Sequence, residues 1–301
     1  FEDKARNVEA AGAIALIICN FEENIVGMAD VPEVTDPKIP VVSLKASDCQ
    51  RIRIALAESP VKIQLKKTPD TGPTQLDGDF DNGIIVHEYG HGISTRLTGG
   101  PSTSGCLDND EQMGEGWSDF LSLVMTHKPG QEGTLPKTIA NYVIRGGQNG
   151  TGIRRLPYST SLSINDQSYD QIIGSTAPHP LGEVWTAVLW DLYWAFIETY
   201  GWDENIKSGQ GGNNIALQLV FDALKLQNCN PGFTDGRNAI IAADIINNGG
   251  VNECLIWEVF ARRGLGWSAD QGSRFNRNDG NEAFDQKPEC VQELKIEKAV
   301  T

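Results

Sequence analysis

The chain has 301 residues, enough to bury a sizeable core in one large domain or two medium ones. Hydrophobic residues make up 40% and charged residues 22%, and there is no run of eighteen apolar residues, so no segment reads as a membrane-spanning helix. The formal net charge of −15 argues against a nucleic-acid partner, because a phosphate backbone would be repelled.

In chain order, Lys4–Ala11 has helical spacing, and Gly12 turns the chain into the apolar run Ala13–Cys19, suited to a buried strand. Ile39–Leu44 reads as a second strand, Ala46–Glu58 as an amphipathic helix with Ser47 as N-cap, and Val61–Leu65 as a closing strand. Residues 1–68 therefore read as a small α/β unit. Thr68–Asp77, which opens Thr-Pro-Asp-Thr-Gly-Pro, is a linker by composition. Beyond it the pattern is mostly helical, over 82–97, 115–127, 181–200, 213–227, 235–247 and 252–263. Val184–Ile197 reads as a buried helix, and Trp185, Trp190 and Trp194 recur at core spacing along it. Gln148–Tyr169 is an irregular polar stretch long enough to line a cleft. The expected class is α+β: a mainly helical domain over 69–301, preceded by the small α/β unit.

The six cysteines (19, 49, 106, 229, 254 and 290) are even in number and form no CxxC pair. Disulfides in an oxidising compartment are the expectation, with the pairing open. The N-terminus lacks the order of a signal peptide and opens on Phe1-Glu2-Asp3-Lys4-Ala5, helical in character. A secreted protein of this sequence is expected to be a processed or excised piece of a longer precursor.

The segment His87-Glu88-Tyr89-Gly90-His91 carries the chemistry. Histidines four apart on a helix lie one turn above each other, so both imidazoles can reach one zinc ion. Glu88, one step round from His87, is placed to hold a water whose pKa zinc lowers from about 15.7 to near 7. A catalytic site needs a third ligand. A histidine ten positions after His87 is ruled out because Leu97 stands there, and a cysteine or aspartate would be unusual. A glutamate on a later helix remains, and Glu115 lies 24 positions after His91. Asp119 follows at i+4 on the same face, where it could accept a hydrogen bond from a ligand histidine and fix its tautomer. Both acids as plain surface carboxylates are the competing reading.

DGDFDNGIIVHEYGHGISTRLTGGP and GCLDNDEQMGEGWSDF together resemble the fungalysin family of secreted metallopeptidases, relatives of thermolysin among the glutamate-ligand zincins. GIRRLPYST at 152–160, HPLGEVWTAVLWDLYW at 179–194, NPGFTDGRNAIIAAD at 230–244 and CLIWEVFARRGLG at 254–266 extend the likeness over about 230 residues. KARNVEAAGAIALIICN and IPVVSL resemble the later part of a protease-associated (PA) domain, which some bacterial members carry inserted before the zinc helix. The first strands of such a domain and the strands expected before the zinc helix have no counterpart here.

The resemblance implies a thermolysin-like fold, zinc bound by His87, His91 and Glu115, Glu88 as general base and Asp119 behind a ligand histidine. It implies His179 as an oxyanion stabiliser on a stiff loop between Pro178 and Pro180. It also implies Arg154, or its neighbour Arg155, as the group that binds a substrate carbonyl. Protein or peptide substrates, an N-terminal propeptide in the precursor and secretion follow from the same likeness. The family's wider pattern adds an oxyanion tyrosine between the second histidine and the third ligand. None occurs from 92 to 114, which leaves Tyr142, Tyr158 or no residue for that role.

Weaker signals point elsewhere. Asp77, Asp79 and Asp81 imitate the start of a calcium loop, but Asn82 stands where its glycine belongs. A non-EF Ca2+ site using some of Asp77, Asp79, Asp81, Asp108 or Asp110 is a further candidate. His127 reads as a structural residue at a helix C-terminus, where positive charge is favoured. Arg262-Arg263-Gly264 reads as a helix end with a glycine stop. Two other functions fit parts of the chain. A zinc aminopeptidase would need an acidic site for the substrate amino terminus, and none is evident. A non-catalytic binding module would leave the intact set of His87, Glu88, His91, Glu115 and His179 without a purpose.

Overall fold

Helical periodicity dominates the chain, and the computed structural model is correspondingly mainly helical over the residues it describes: 2–23, 37–66, 76–147 and 150–291. The chain divides into two compact units, Phe1–Thr74 and Gln75–Thr301.

The first unit runs α1 (Glu2–Ala10), β1 (Leu16–Cys19), β2 (Val41–Leu44) and α2 (Ala46–Glu58). The strands pair in parallel, from Leu16 with Val41 to Cys19 with Leu44. A disulfide joins Cys19 at the end of β1 to Cys49 in the first turn of α2. Two local expectations fail here. Ser47 is not the N-cap of α2; Lys45 holds that position without a side-chain bond. The carboxylate of Glu23 does the capping from afar, accepting from Ser47 N at 2.7 Å and from Ser47 Oγ at 2.6 Å. Val61–Leu65 is irregular and mostly exposed rather than a strand. A strand pattern holds only when a neighbour completes its backbone hydrogen bonds, and none does so among the described residues. Most of the expected linker Thr68–Asp77 lies outside the described residues.

The second unit contains α3 (Asn82–Leu97), α4 (Gly114–Met125), α5 (His179–Tyr200), α6 (Gly212–Leu226), α7 (Phe233–Asn248) and α8 (Glu253–Arg262). Every residue of α4 from Gly114 to Val124 is buried, as is every residue of α5 from Leu181 to Trp194. Helices enclosed on all sides form the centre of the fold. On α4 lie α3 and α5; α6 packs on α5 and α7 on α6. Trp117, Phe120, Trp185, Leu189, Leu219, Phe233 and Phe260 fill the core, and Trp190 and Trp194 are buried with them.

Glycine sets the spacing of the three helices that matter most. A β-carbon at Gly90 of α3 would lie 2.9 Å from Ser118 Cα of α4. One at Gly182 of α5 would lie 2.4 Å from Glu115 Cβ, and one at Gly116 would lie 2.7 Å from Gly182 O. Only hydrogen fits at these crossings, so the backbones approach closely.

The irregular stretch between α4 and α5 is held by buried charge. Arg263 is fully buried just beyond α8. It pairs with Asp191 of α5 at 2.8 Å and donates to Ser159 O, Asn165 O and Gln167 O. Arg155 pairs with Glu183 of α5 at 2.8 Å. Residues 154–167 are thereby laid against α5. Disulfides Cys106–Cys229 and Cys254–Cys290 complete the pairing, and no cysteine is free. His127 follows the end of α4, where burial and then the nearby Lys137 charge pull it down to about 4. Its Nδ1 lies 2.7 Å from Tyr193 OH. The imidazole is therefore neutral near neutral pH, and the expected positive charge at the helix end is absent.

Candidate metal centre

Helix α3 begins where Asp81 caps it: Oδ1 accepts from Gly83 N at 2.9 Å and from Ile84 N at 3.4 Å. The helical rise then stacks His87 and His91, with their Nε2 atoms 3.1 Å apart. From α4, Glu115 presents Oε2 at 3.3 Å from His87 Nε2 and Oε1 at 3.5 Å from His91 Nε2. Zinc bound to nitrogen and oxygen at about 2.0–2.1 Å in a tetrahedron separates its ligand atoms by roughly 3.3 Å. The three spacings match that edge, and two imidazoles with one carboxylate are a donor set zinc favours. Among the described residues this is the one group of His, Cys, Asp and Glu that brings three ligand atoms within 4.8 Å of one another.

Asp119, one turn along α4, is fully buried behind the cluster. Its Oδ1 lies 2.7 Å from His87 Nδ1, so that nitrogen carries hydrogen and Nε2 is left to bind a metal. Arg154 binds the same carboxylate through Nε (2.7 Å) and Nη2 (2.8 Å) and reaches Glu115 Oε2 at 3.2 Å. Burial would raise the carboxyl of Glu115, but hydrogen bonds from His87 and His91 and the charges of His87 and His179 hold it far below the usual range. Asp119 is held down against burial in the same way, by His87 and Arg154. Burial disfavours a charged His87, yet the hydrogen bonds and charges of Asp119 and Glu115 outweigh it and push the imidazole up to about 9. A metal at Nε2 takes the place of that proton, so metal uptake is coupled to proton release.

His179 is the first residue of α5, not part of a loop before it; Pro178 is the N-cap and Pro180 follows in the first turn. Its Nε2 lies 3.5 Å from Glu115 Oε2, and its side chain is more than half exposed. Glu88 is exposed on α3 at the edge of a groove of about 760 Å3, whose walls include Tyr89, Ile93, Leu97 and Phe221.

Two family models match the chain. The model described as fungalysin metallopeptidase (M36) covers residues 61–269, and a PA domain model covers residues 1–52. The chain belongs to the fungalysin metallopeptidase family. It is 42% identical over 206 residues to the extracellular metalloproteinase mep of Aspergillus fumigatus, covering 66% of this chain and 32% of that protein. Over 232 residues it is 40% identical to an extracellular metalloproteinase of Pyrenophora tritici-repentis, covering 73% and 35%. Extracellular metalloproteinase 3 of Trichophyton tonsurans is 38% identical over 231 residues, covering 74% and 36%. The chain thus spans about a third of the length of these relatives.

Within this fungalysin-family unit the structure brings His87, His91, Glu115, Asp119, Arg154 and His179 into one cluster. Arg155 points instead to Glu183 and to Pro180 O. Tyr158 is fully buried with its hydroxyl on Asp119, 2.5 Å from Oδ2, so the oxyanion role left open for it does not fit. Of the aspartates considered for calcium, Asp77 caps a short 3-10 turn at Asp79 N and Asp81 caps α3 while also accepting from Tyr142 N. Sequence reasoning missed the contact of Arg154 with both acids, and it passed over Gly90, Gly116 and Gly182. The local signal for those glycines was present: one lies within the HExxH helix, one next to Glu115 and one three residues after His179.

Proposed function

We propose that this chain is the catalytic part of a secreted zinc endopeptidase, with residues 69–301 forming the catalytic domain. The observation that carries the reading is the tetrahedral spacing of His87 Nε2, His91 Nε2 and Glu115 around one point. His87, His91 and Glu115 would hold the ion. Zinc bound there supplies Lewis acidity, polarising the scissile carbonyl and acidifying water.

The remaining steps belong to side chains. Glu88 takes a proton from the attacking water as its oxygen bonds to the carbonyl carbon. His179 donates from Nε2 to the carbonyl oxygen as negative charge develops there. Arg154, with Nε and Nη2 committed to the acids, leaves Nη1 for a neighbouring substrate carbonyl. The C–N bond breaks as Glu88 passes its proton to the leaving amine. Asp119 keeps His87 in the ligating tautomer throughout. Three disulfides and the extracellular names of the relatives support an oxidising, extracellular setting.

The test is metal content together with casein hydrolysis by the full chain, before and after a strong chelator and after zinc is restored. Stoichiometric zinc is expected, with activity lost on chelation and regained on zinc addition. Glu88→Gln is expected to keep the zinc and lose activity by at least about 100-fold. Full activity in that variant, or in the chelated protein, would sink the reading.

A further inference from the structure

Asp119 sits on the most enclosed helix of the fold, where an ionised carboxylate must have its acceptor sites filled. Four contacts fill them. Oδ1 receives His87 Nδ1 (2.7 Å) and Arg154 Nη2 (2.8 Å), and Oδ2 receives Arg154 Nε (2.7 Å) and Tyr158 OH (2.5 Å). His87 and Arg154 both have further partners at the metal centre. Tyr158 does not, and its hydroxyl is set by the core rather than by the site. Its ring is fully buried in the apolar cluster, and its backbone is fixed both ways by Lys137, at 2.7 Å through Tyr158 N and 2.9 Å through Tyr158 O.

We propose that Tyr158 is a positioning residue of the metal centre: its hydroxyl locks the Asp119 carboxylate in the orientation that presents Oδ1 to Nδ1 of His87. The inference rests on reading His87, His91 and Glu115 as ligands. Tyr158 touches neither metal nor substrate. It acts through Asp119, and Asp119 acts through the tautomer and ring plane of His87. A residue 71 positions beyond His87 in the chain is in this way part of the apparatus that aims its Nε2.

Tyr158→Phe removes the hydroxyl and leaves the packed ring. In the full chain, zinc affinity is measured by competition with a chromogenic chelator, and thermal unfolding is followed in excess chelator. The expected result is roughly tenfold weaker zinc binding, the lower range for losing an outer partner of a ligand. In an Asp119→Ala background the same substitution is expected to change zinc affinity by less than about twofold, because the path through Asp119 is already cut. Incorporating 4-aminophenylalanine at 158, which restores a donor, is expected to recover most of the affinity. A purely structural tyrosine would lower the melting temperature of the chelated protein and leave zinc affinity unchanged; that outcome overturns the proposal, as does equal loss in both backgrounds or no recovery with the amino group. If the parent chain takes up no zinc, the reading of the site fails and this inference with it. If the parent binds zinc, Glu115→Gln loses it and Tyr158→Phe binds like the parent, only the role of Tyr158 is overturned.

Discussion

Gly182 of α5 lies directly against Glu115 of α4: a β-carbon on the glycine would stand 2.4 Å from Glu115 Cβ. That contact sets how near His179, at the start of α5, comes to the carboxylate of Glu115. The hydroxyl of Thr186 secures it, lying 3.0 Å from Gly116 O and 2.8 Å from Gly182 O. Gly182→Ala forces the helices apart, and an overpacked core costs about 1–3 kcal/mol. Peptidase activity should fall by roughly tenfold or more, because displacing a catalytic group by about 1 Å costs up to two orders of magnitude. Denaturant unfolding and casein hydrolysis of the variant check both. Unchanged activity would show that the spacing of α4 and α5 does not matter to the site.

Arg154 is bidentate on Asp119 and also reaches Glu115, a fork that lysine cannot reproduce. Arg154→Lys keeps the charge and loses the geometry. Activity is expected to drop by at least about tenfold, with zinc affinity also reduced, since outer partners of ligands are worth about 10–100-fold. Parent-like kcat/KM and zinc affinity in the lysine variant would show that charge alone is enough.

Glu111 lies outside the metal centre and is fully buried, accepting from Tyr169 OH at 2.7 Å and from Phe233 N at 3.2 Å. Burial, with the nearby charges of Asp279 and Asp235, outweighs those hydrogen bonds and pushes its carboxyl up to about 7 from an ordinary 4.5. A carboxyl raised on folding contributes its stability fully below the unfolded value and loses it as pH rises through the folded one. The window is therefore about pH 4.5 to 7, and the loss is on the order of 3 kcal/mol. Glu111→Gln should flatten this slope. Urea unfolding of both proteins at pH 5 and pH 7.5 provides the comparison, and parallel pH dependences would contradict the assignment.

Cys106–Cys229 closes a loop with a sequence separation of 123, whereas Cys254–Cys290 closes one of 36. In the chain-entropy account the longer loop stabilises by about 1 kcal/mol more, on a base of roughly 3–4 kcal/mol. Replacing each pair by serine and measuring unfolding should rank the losses in that order. The reverse ranking would mean that local packing, not loop closure, dominates.

The helices of the second unit were legible in the sequence to within a few residues, because their apolar periodicity and end signals are local. The strand expected at Val61–Leu65 and the cap expected at Ser47 failed for the opposite reason. The first depends on a neighbouring strand and the second on Glu23, which approaches from 24 residues away. His127 is structural, as its place at a helix end suggested, but its charge state follows from burial among aromatic rings rather than from that place.

The metal centre divides along the same line. By itself the sequence determined that His87 and His91 share one face of a helix, and that Glu115 and Asp119 share one face of another, since a spacing of four residues is nearly one helical turn. Tertiary structure alone decided that these faces meet, which acid stands behind which histidine, and that Arg154 and Tyr158 close on Asp119. It also decided which cysteines pair. These are contacts between residues tens of positions apart, and they depend on helix crossings close enough for only hydrogen at Gly90, Gly116 and Gly182. A spacing rule describes one helix, whereas the distance between two helices is set by what their side chains exclude.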